Sequence, residues 1–279
     1  MPSLATPKST INLWSLPSIS QFVSAASRRG FDIVQPFHSK WYNDQLEKED
    51  IAHLRRLPSG KALLIGNTKH FWPIFLSWLR KQDYIPPDPI DSYTKNVLSG
   101  LVEEYLNHHS ECRSTNTIQI FWSHDSDTSS MVSMSRVASV SGLCYTHPSA
   151  MLSIHPQYGV WLSLRAVVII VDVDHTASPF CDPAATVGKA AAAAAAAPSP
   201  PPLLSNPLTK EQDEMVQKAA QIAFSQASDI GWSNTMEKVD PWIRLRDSVA
   251  VGKEFRFADD QLRYHYLQDK SILEKALKW

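Results

Sequence analysis

Two hydrophobic periods alternate along the chain. Ile19, Phe22, Val23 and Ala26 recur at helical spacing behind Ser18, a residue type suited to capping, and Arg28, Arg29 and Gly30 form a helix ending. The stretch "GFDIVQPFHSKWYN", residues 30–43, reads as a short strand leading into a loop, and "KALLIGNT", residues 61–68, as a short buried strand. "FWPIFLSWLRKQ" opens a helix with Pro73 early, where a missing N–H is tolerated. Beyond the turn "IPPDPID", Val97, Leu98, Leu101, Val102, Tyr105 and Leu106 form the stripe of an amphipathic helix running to His109. "TIQIFWS", residues 117–123, alternates as a strand does. Residues 131–145, rich in small side chains, predict a helix that can be approached closely, and a strand follows near Met151.

In "SIHPQYGVWLSLRAVVII", residues 153–170, a turn precedes a strand from Gly159 onward. Strict alternation places Val160, Leu162, Leu164, Ala166 and Val168 on one face and Trp161, Ser163, Arg165, Val167 and Ile169 on the other. An arginine flanked by apolar residues needs an anionic partner, because Arg is rarely buried unpaired. Either a carboxylate of the protein or an anionic ligand meets that need, and residue type alone favours the carboxylate.

The pattern breaks at Val187. Residues 188–207, "GKAAAAAAAAPSPPPLLSNP", cannot build a core and read as a flexible low-complexity insertion. Thr209 and Gln212 then make a capping box for a helix carrying Met215, Val216, Ala219, Ala220, Ile222 and Ala223. "PWIRLRDSVAV" and a charged, aromatic helix near residues 259–270 follow. In "IRLRD", Arg244 and Arg246 share a face if the segment is extended, and Arg246 has a nearby carboxylate as an ordinary partner. Strands with segregated helices predict an α+β fold. The expected organisation is a loose arm at 1–15 and one domain at 16–279, interrupted at 188–207.

Composition narrows the function classes. Of 279 residues 43% are hydrophobic, enough for a sizeable core, and a net charge of −1 leaves no electrostatic footprint for nucleic acid or an anionic membrane. Three cysteines without a CxxC pair argue against a disulfide framework or a thiolate zinc site and for a reducing, cytoplasmic setting. No apolar run approaches the roughly 20 residues of a membrane helix. The N-terminus is free of acids until Asp32, faintly like a mitochondrial transit peptide, although a helix ending accounts for Arg28 and Arg29 equally well. Neither GxGxxG, GxxxxGK[ST], GxSxG nor HExxH occurs. "HDSD", residues 124–127, reads as a polar turn rather than a metal site, and His108 and His109 point apart on a helix.

"GFDIVQPF…WYN", "DPIDSYTKNVL", "IHPQYGVWLSLRAVVI" and "RDSVAV", in this order, resemble the cobalamin-processing family of methylmalonic aciduria and homocystinuria type C, the cyanocobalamin reductases and alkylcobalamin dealkylases. The resemblance implies a flavin-nitroreductase-like fold, a mainly antiparallel sheet flanked by helices, that binds cobalamin base-off. It implies reductive decyanation with reduced flavin (FAD or FMN) and dealkylation by a glutathione thiolate, with a flavin reductase and a downstream cobalamin-trafficking protein as partners. The absence of DxHxxG agrees with an unliganded lower face. By the same resemblance Arg165 and Arg246 position the glutathione carboxylates, and Val132, Ser133, Met134, Ser135, Thr146, His147, Ser153 and Leu164 contact cobalamin, whose cobalt is the only metal. Two departures stand out. A family helix His corresponds to Ser139, and a third family Arg falls near Ile272, with Lys270 and Lys275 close by. They leave room for a cobalamin carrier without catalysis. A flavin oxidoreductase that does not bind cobalamin is the third alternative.

Overall fold

The computed structural model describes residues 17–105, 118–125, 127, 131–171, 199–228 and 235–277. Four strands form an antiparallel sheet in the order β1 (Ile33–His38), β2 (Gly60–Asn67), β6 (Ser163–Val171), β3 (Ile118–Trp122). A short hairpin pairs β4 (Tyr145–Thr146) with β5 (Ser153–Ile154). The helices are α1 (Pro17–Arg28), α2 (Ser39–Lys48), α3 (Phe71–Leu79), α4 (Pro89–Tyr105), α5 (Met134–Val140), α6 (Lys210–Ser228), α7 (Met236–Asp247), α8 (Asp259–Leu267) and α9 (Lys270–Leu277). This is the expected α+β class, an antiparallel sheet flanked by helices.

Each sheet face has its own core. Leu63, Ile65, Ala166 and Val168 meet Phe22, Phe71, Phe75 and Tyr93 from α1, α3 and α4. Ala62, Leu64, Val167 and Ile169 meet Trp41, Tyr42 and Val137 from α2 and α5. A third core joins Trp161 and Val160 to α6, α7 and α8 through Val216, Ala220, Leu245, Phe257 and Leu262.

Several local expectations hold for their stated reasons. Gly30 closes α1 at φ 88°, with the Phe31 N–H bonded to the Ala26 carbonyl. Thr209 Oγ1 accepts from the Gln212 N–H, and Gln212 Oε1 from the Thr209 N–H, the reciprocal box that starts α6. Others are corrected. The segment after β1 is helix α2 rather than a loop: His38 Nδ1 accepts the Lys40 N–H at its start, and Trp41, Tyr42 and Leu46 are buried. The strand holding Arg165 begins at Ser163, not Gly159. The C-terminal helix is two helices, hinged at Gln268 with φ 55°. The 1–15 arm, His108, His109 and residues 188–198 of the insertion lie outside the described residues. Residues 199–207 carry no regular secondary structure.

Candidate anion and cobalamin site

The key irregularity is in β6. Ile65 pairs with Ala166 and Gly66 with Leu164, so Arg165 is an extra residue, a β-bulge that re-aims a side chain. Alternation is thereby reset. Leu164 packs with Val167 and Ile169 against the second core, and Arg165 turns to the opposite face, its guanidinium 5.3 Å from the Phe71 ring centre. This corrects the expected grouping of Arg165 with Val167 and Ile169. Gly66 permits the bulge: a Cβ there would lie 2.8 Å from the Ser163 carbonyl oxygen.

Arg165 Nε donates to Asn67 Oδ1 at 2.7 Å, while Nη2 is buried without a partner among the described residues. No carboxylate pairs with it there, so the ordinary internal salt bridge is not formed. Burial lowers its pKa to about 10, with Asp91 acting in the opposite direction. The group stays charged at neutral pH.

Arg246 comes from α7, which is helical rather than extended. Arg244 therefore points elsewhere, toward Asp240 at the surface, 2.5 Å away. Arg246 Nη2 donates to the Val160 carbonyl at 2.7 Å, its guanidinium lies 5.4 Å and 5.8 Å from the Trp161 and Phe257 ring centres, and its Nε is buried with no partner among the described residues. His265 of α8 lies beside both arginines. Burial first, then the two guanidinium charges, lower its pKa to about 3, which keeps the ring neutral. Trp161 Nε1 and Gln261 Oε1 are also buried without partners among the described residues. Two of these unsatisfied donors, on Arg165 and Arg246, belong to the guanidinium groups whose charge acts on His265. Orphaned buried donors are rare and costly, and on two guanidinium groups they suit an anionic acceptor.

The residues assigned to cobalamin gather elsewhere, around α5. Val132 is buried in the second core, with Met134 against it. The Ser133 N–H donates to Tyr42 Oη at 3.2 Å, and the Ser133 and Ser135 hydroxyls lie 3.2 Å apart. Thr146 pairs with Ser153 across the β4–β5 hairpin, and the Thr146 hydroxyl is buried with no partner among the described residues. Leu164 faces this side. His147 is fully buried, and its ring is committed on both sides: Nδ1 accepts the Ala150 N–H at 3.1 Å, and Nε2 meets Asp213 Oδ1 at 3.1 Å. It ties the hairpin to α6 and has no nitrogen to spare. Ser139 sits in α5, and Ile272 packs against the first core, an apolar filling where an arginine was expected to be aligned.

His265, Asn67, Asp88 and Asp91 escape a reading of the sequence. His265 is hidden in a helix that reads only as charged and aromatic, and the other three reach Arg165 only through the fold. Asp91 is held by His124, whose Nδ1 lies 3.5 Å from Asp91 Oδ1, and the described start of "HDSD" is a turn, with the Asp125 N–H bonded to the Trp122 carbonyl.

No family model and no curated protein matches the chain. Among solved structures, the crystal structure of a C. elegans B12-trafficking protein, CblC, described as a human MMACHC homologue, matches with TM-score 0.59 and 19% identity over 94% of each chain. Epoxyqueuosine reductase from Bacillus subtilis matches with TM-score 0.45 and 11% identity over 93% of this chain and 79% of that one. The chain has the fold of the B12-trafficking protein CblC over nearly the whole of both chains.

Proposed function

We propose that this protein binds cobalamin and processes it by removing the upper axial ligand. The likeness to a B12-trafficking protein over 94% of both chains supports this reading, together with the placing of "IHPQYGVWLSLR" at the junction of the two candidate sites. The α5 side, with Leu164, Val132, Met134 and the free Thr146 hydroxyl, takes the corrin. The arginine side takes an anionic co-reactant.

Two reactions fit. In decyanation, cobalt(III) accepts one electron from reduced flavin, delivered by a reductase partner or bound nearby, and cyanide leaves with the bonding pair, giving cobalt(II). In dealkylation, a glutathione thiolate attacks the alkyl carbon. The S–C bond forms, the Co–C bond breaks, and both its electrons stay on cobalt as Co(I). The unpartnered N–H groups of Arg165 and Arg246 suit glutathione carboxylates, which guanidinium forks bind through charge-assisted hydrogen bonds. Ile272 in the core removes one expected cation from that cluster, so decyanation is the better-supported of the two.

Cyanocobalamin added to the purified protein is expected to show the base-off spectrum, and anaerobic reduced flavin is expected to convert it to cob(II)alamin. A base-off spectrum without reduction would leave a carrier. A base-on spectrum without reduction would sink the proposal, and bound yellow flavin without cobalamin binding would favour an unrelated flavin oxidoreductase. The insertion is taken to be dispensable for this binding. A short Gly/Ser linker in place of residues 188–207 is expected to leave cobalamin affinity within about threefold. A larger loss in a normally folded protein would make the segment a lid. Among the described residues no helix is long and apolar enough to cross a membrane, and a cytoplasmic setting remains part of the proposal.

A further inference from the structure

Three prolines in succession, Pro200, Pro201 and Pro202, lie in the segment that leads into α6. Each ring fixes its own φ at about −65°, and each proline pushes the residue before it into extended backbone. The stretch from Ser199 to Pro201 is thereby disposed to the polyproline II form, which turns every three residues and makes no internal hydrogen bonds. Burial follows the same period. Pro201 and Leu204 are partly covered, whereas Pro200, Pro202, Leu203 and Ser205 are exposed, Leu203 by 63%. One edge of the segment lies on the protein and the two others face outward. The covered edge is pinned at both ends. Pro201 packs on the turn after α5, so close that a Cβ on Gly142 would lie 3.2 Å from its Cγ. Asn206 Nδ2 donates to Asp213 Oδ1 of α6 at 2.6 Å, and Asn206 Oδ1 accepts the Leu208 N–H at 3.0 Å.

We infer that residues 200–205 are a docking strand for a partner protein that carries an aromatic-lined groove for proline-rich segments. Proline rings and the Leu203 side chain offer rigid apolar surface to aromatic walls, and a run without N–H groups offers its partner carbonyl acceptors only. Because the segment is extended and tied down before any partner arrives, little conformational freedom remains to be lost on docking. A groove meets one side of such a rod, so the edge laid on α5 and α6 does not obstruct it. A segment that served the fold alone would turn Leu203 inward, as Leu208 is turned against the third core. The outward placing of Pro200 and Leu203, three residues apart, is what a groove of this kind reads. Docking here leaves cobalamin binding to other residues, which agrees with the expected dispensability of the insertion for that ligand.

Fluorescence anisotropy of three labelled, isolated domains, one SH3, one WW and one EVH1, titrated with the full chain, tests this. At least one domain is expected to bind with a Kd below about 1 mM. A Pro200→Ala/Leu203→Ala variant is expected to weaken that binding about tenfold or more, because the side chains that fill the groove are removed. Both residues are exposed, and a thermal melt equal to that of the native protein is expected. Met215→Ala, at an exposed apolar position of α6, is the control and is expected to change the Kd less than twofold. The chain with a Gly/Ser linker in place of residues 188–207 supplies a second variant and is expected to lose domain binding altogether. No binding of any of the three domains, binding that the double variant or the linker chain leaves intact, or an equal loss in Met215→Ala would overturn the inference.

Discussion

Gly159→Ala is expected to cost more than about 4 kcal/mol of stability, a loss of the size seen when a single change breaks packing that cannot relax. In an ordinary domain that is most of the available free energy, so the variant should lose its cooperative melt or not accumulate. Gly159 has φ 56°, and a Cβ on it would lie 1.9 Å from the Val251 carbonyl oxygen. Its neighbour across the contact is Gly252, φ 74°, where a Cβ would lie 2.2 Å from the Tyr158 carbonyl carbon. Backbone meets backbone here, so no flexible side chain can yield. This contact clamps the turn of "IHPQYG" to the loop after α7. The same clamp holds α7 where Arg246 can donate to Val160. Gly100→Ala in α4 is the control, because nothing lies within 4 Å of its added Cβ, and it is expected to be neutral or stabilising by up to about 1 kcal/mol. Chemical denaturation measures both. A Gly159→Ala protein within about 1 kcal/mol of the native one would show that the two loops slide apart freely.

This clamp marks what the sequence could and could not show. "IHPQYGVWLSLRAVVI" and "RDSVAV" are legible by resemblance as motifs in a fixed order, but what joins them is a contact between residues about ninety apart, which no local pattern encodes. Helix ends were readable where one residue type decides them, as at Gly30 or in the Thr209–Gln212 box. α2 was missed because its buried residues Trp41, Tyr42 and Leu46 are few and surrounded by polar ones, so the stripe is short. The bulge at Arg165 could not be seen, since an inserted strand residue leaves the composition unchanged and shifts every alternation before it. Its one trace lies on the partner strand, at Gly66, where only glycine clears Ser163. His265 is not marked by its local pattern: its helix carries Asp259, Asp260 and Arg263 among aromatic residues, and only the fold turns Tyr264 and His265 toward Arg165.

Arg165→Ala is expected to raise the glutathione Kd about tenfold or more while leaving cobalamin affinity nearly unchanged. The first effect follows from the loss of a charge-assisted donor, worth roughly 1.5–3 kcal/mol. The second follows from the bulge, which sends Arg165 and Leu164 to opposite faces of β6, so the arginine is not part of the wall that Leu164 and α5 present. Stability should fall by less than about 2 kcal/mol. Among the described residues the only side-chain hydrogen bond removed is the one to Asn67, and the Phe71 ring loses its cation. Against this, a positive charge near Arg246 and His265 disappears. A hidden carboxylate partner would give another pattern: its stranding would cost about 3–5 kcal/mol and leave glutathione binding untouched. Among the described residues no carboxylate pairs with Arg165, and its Nη2 has no acceptor. A thermal melt and a glutathione titration of the same variant separate the cases. A strongly destabilised protein that still binds glutathione as the native one does would show that Arg165 serves the fold and not a ligand.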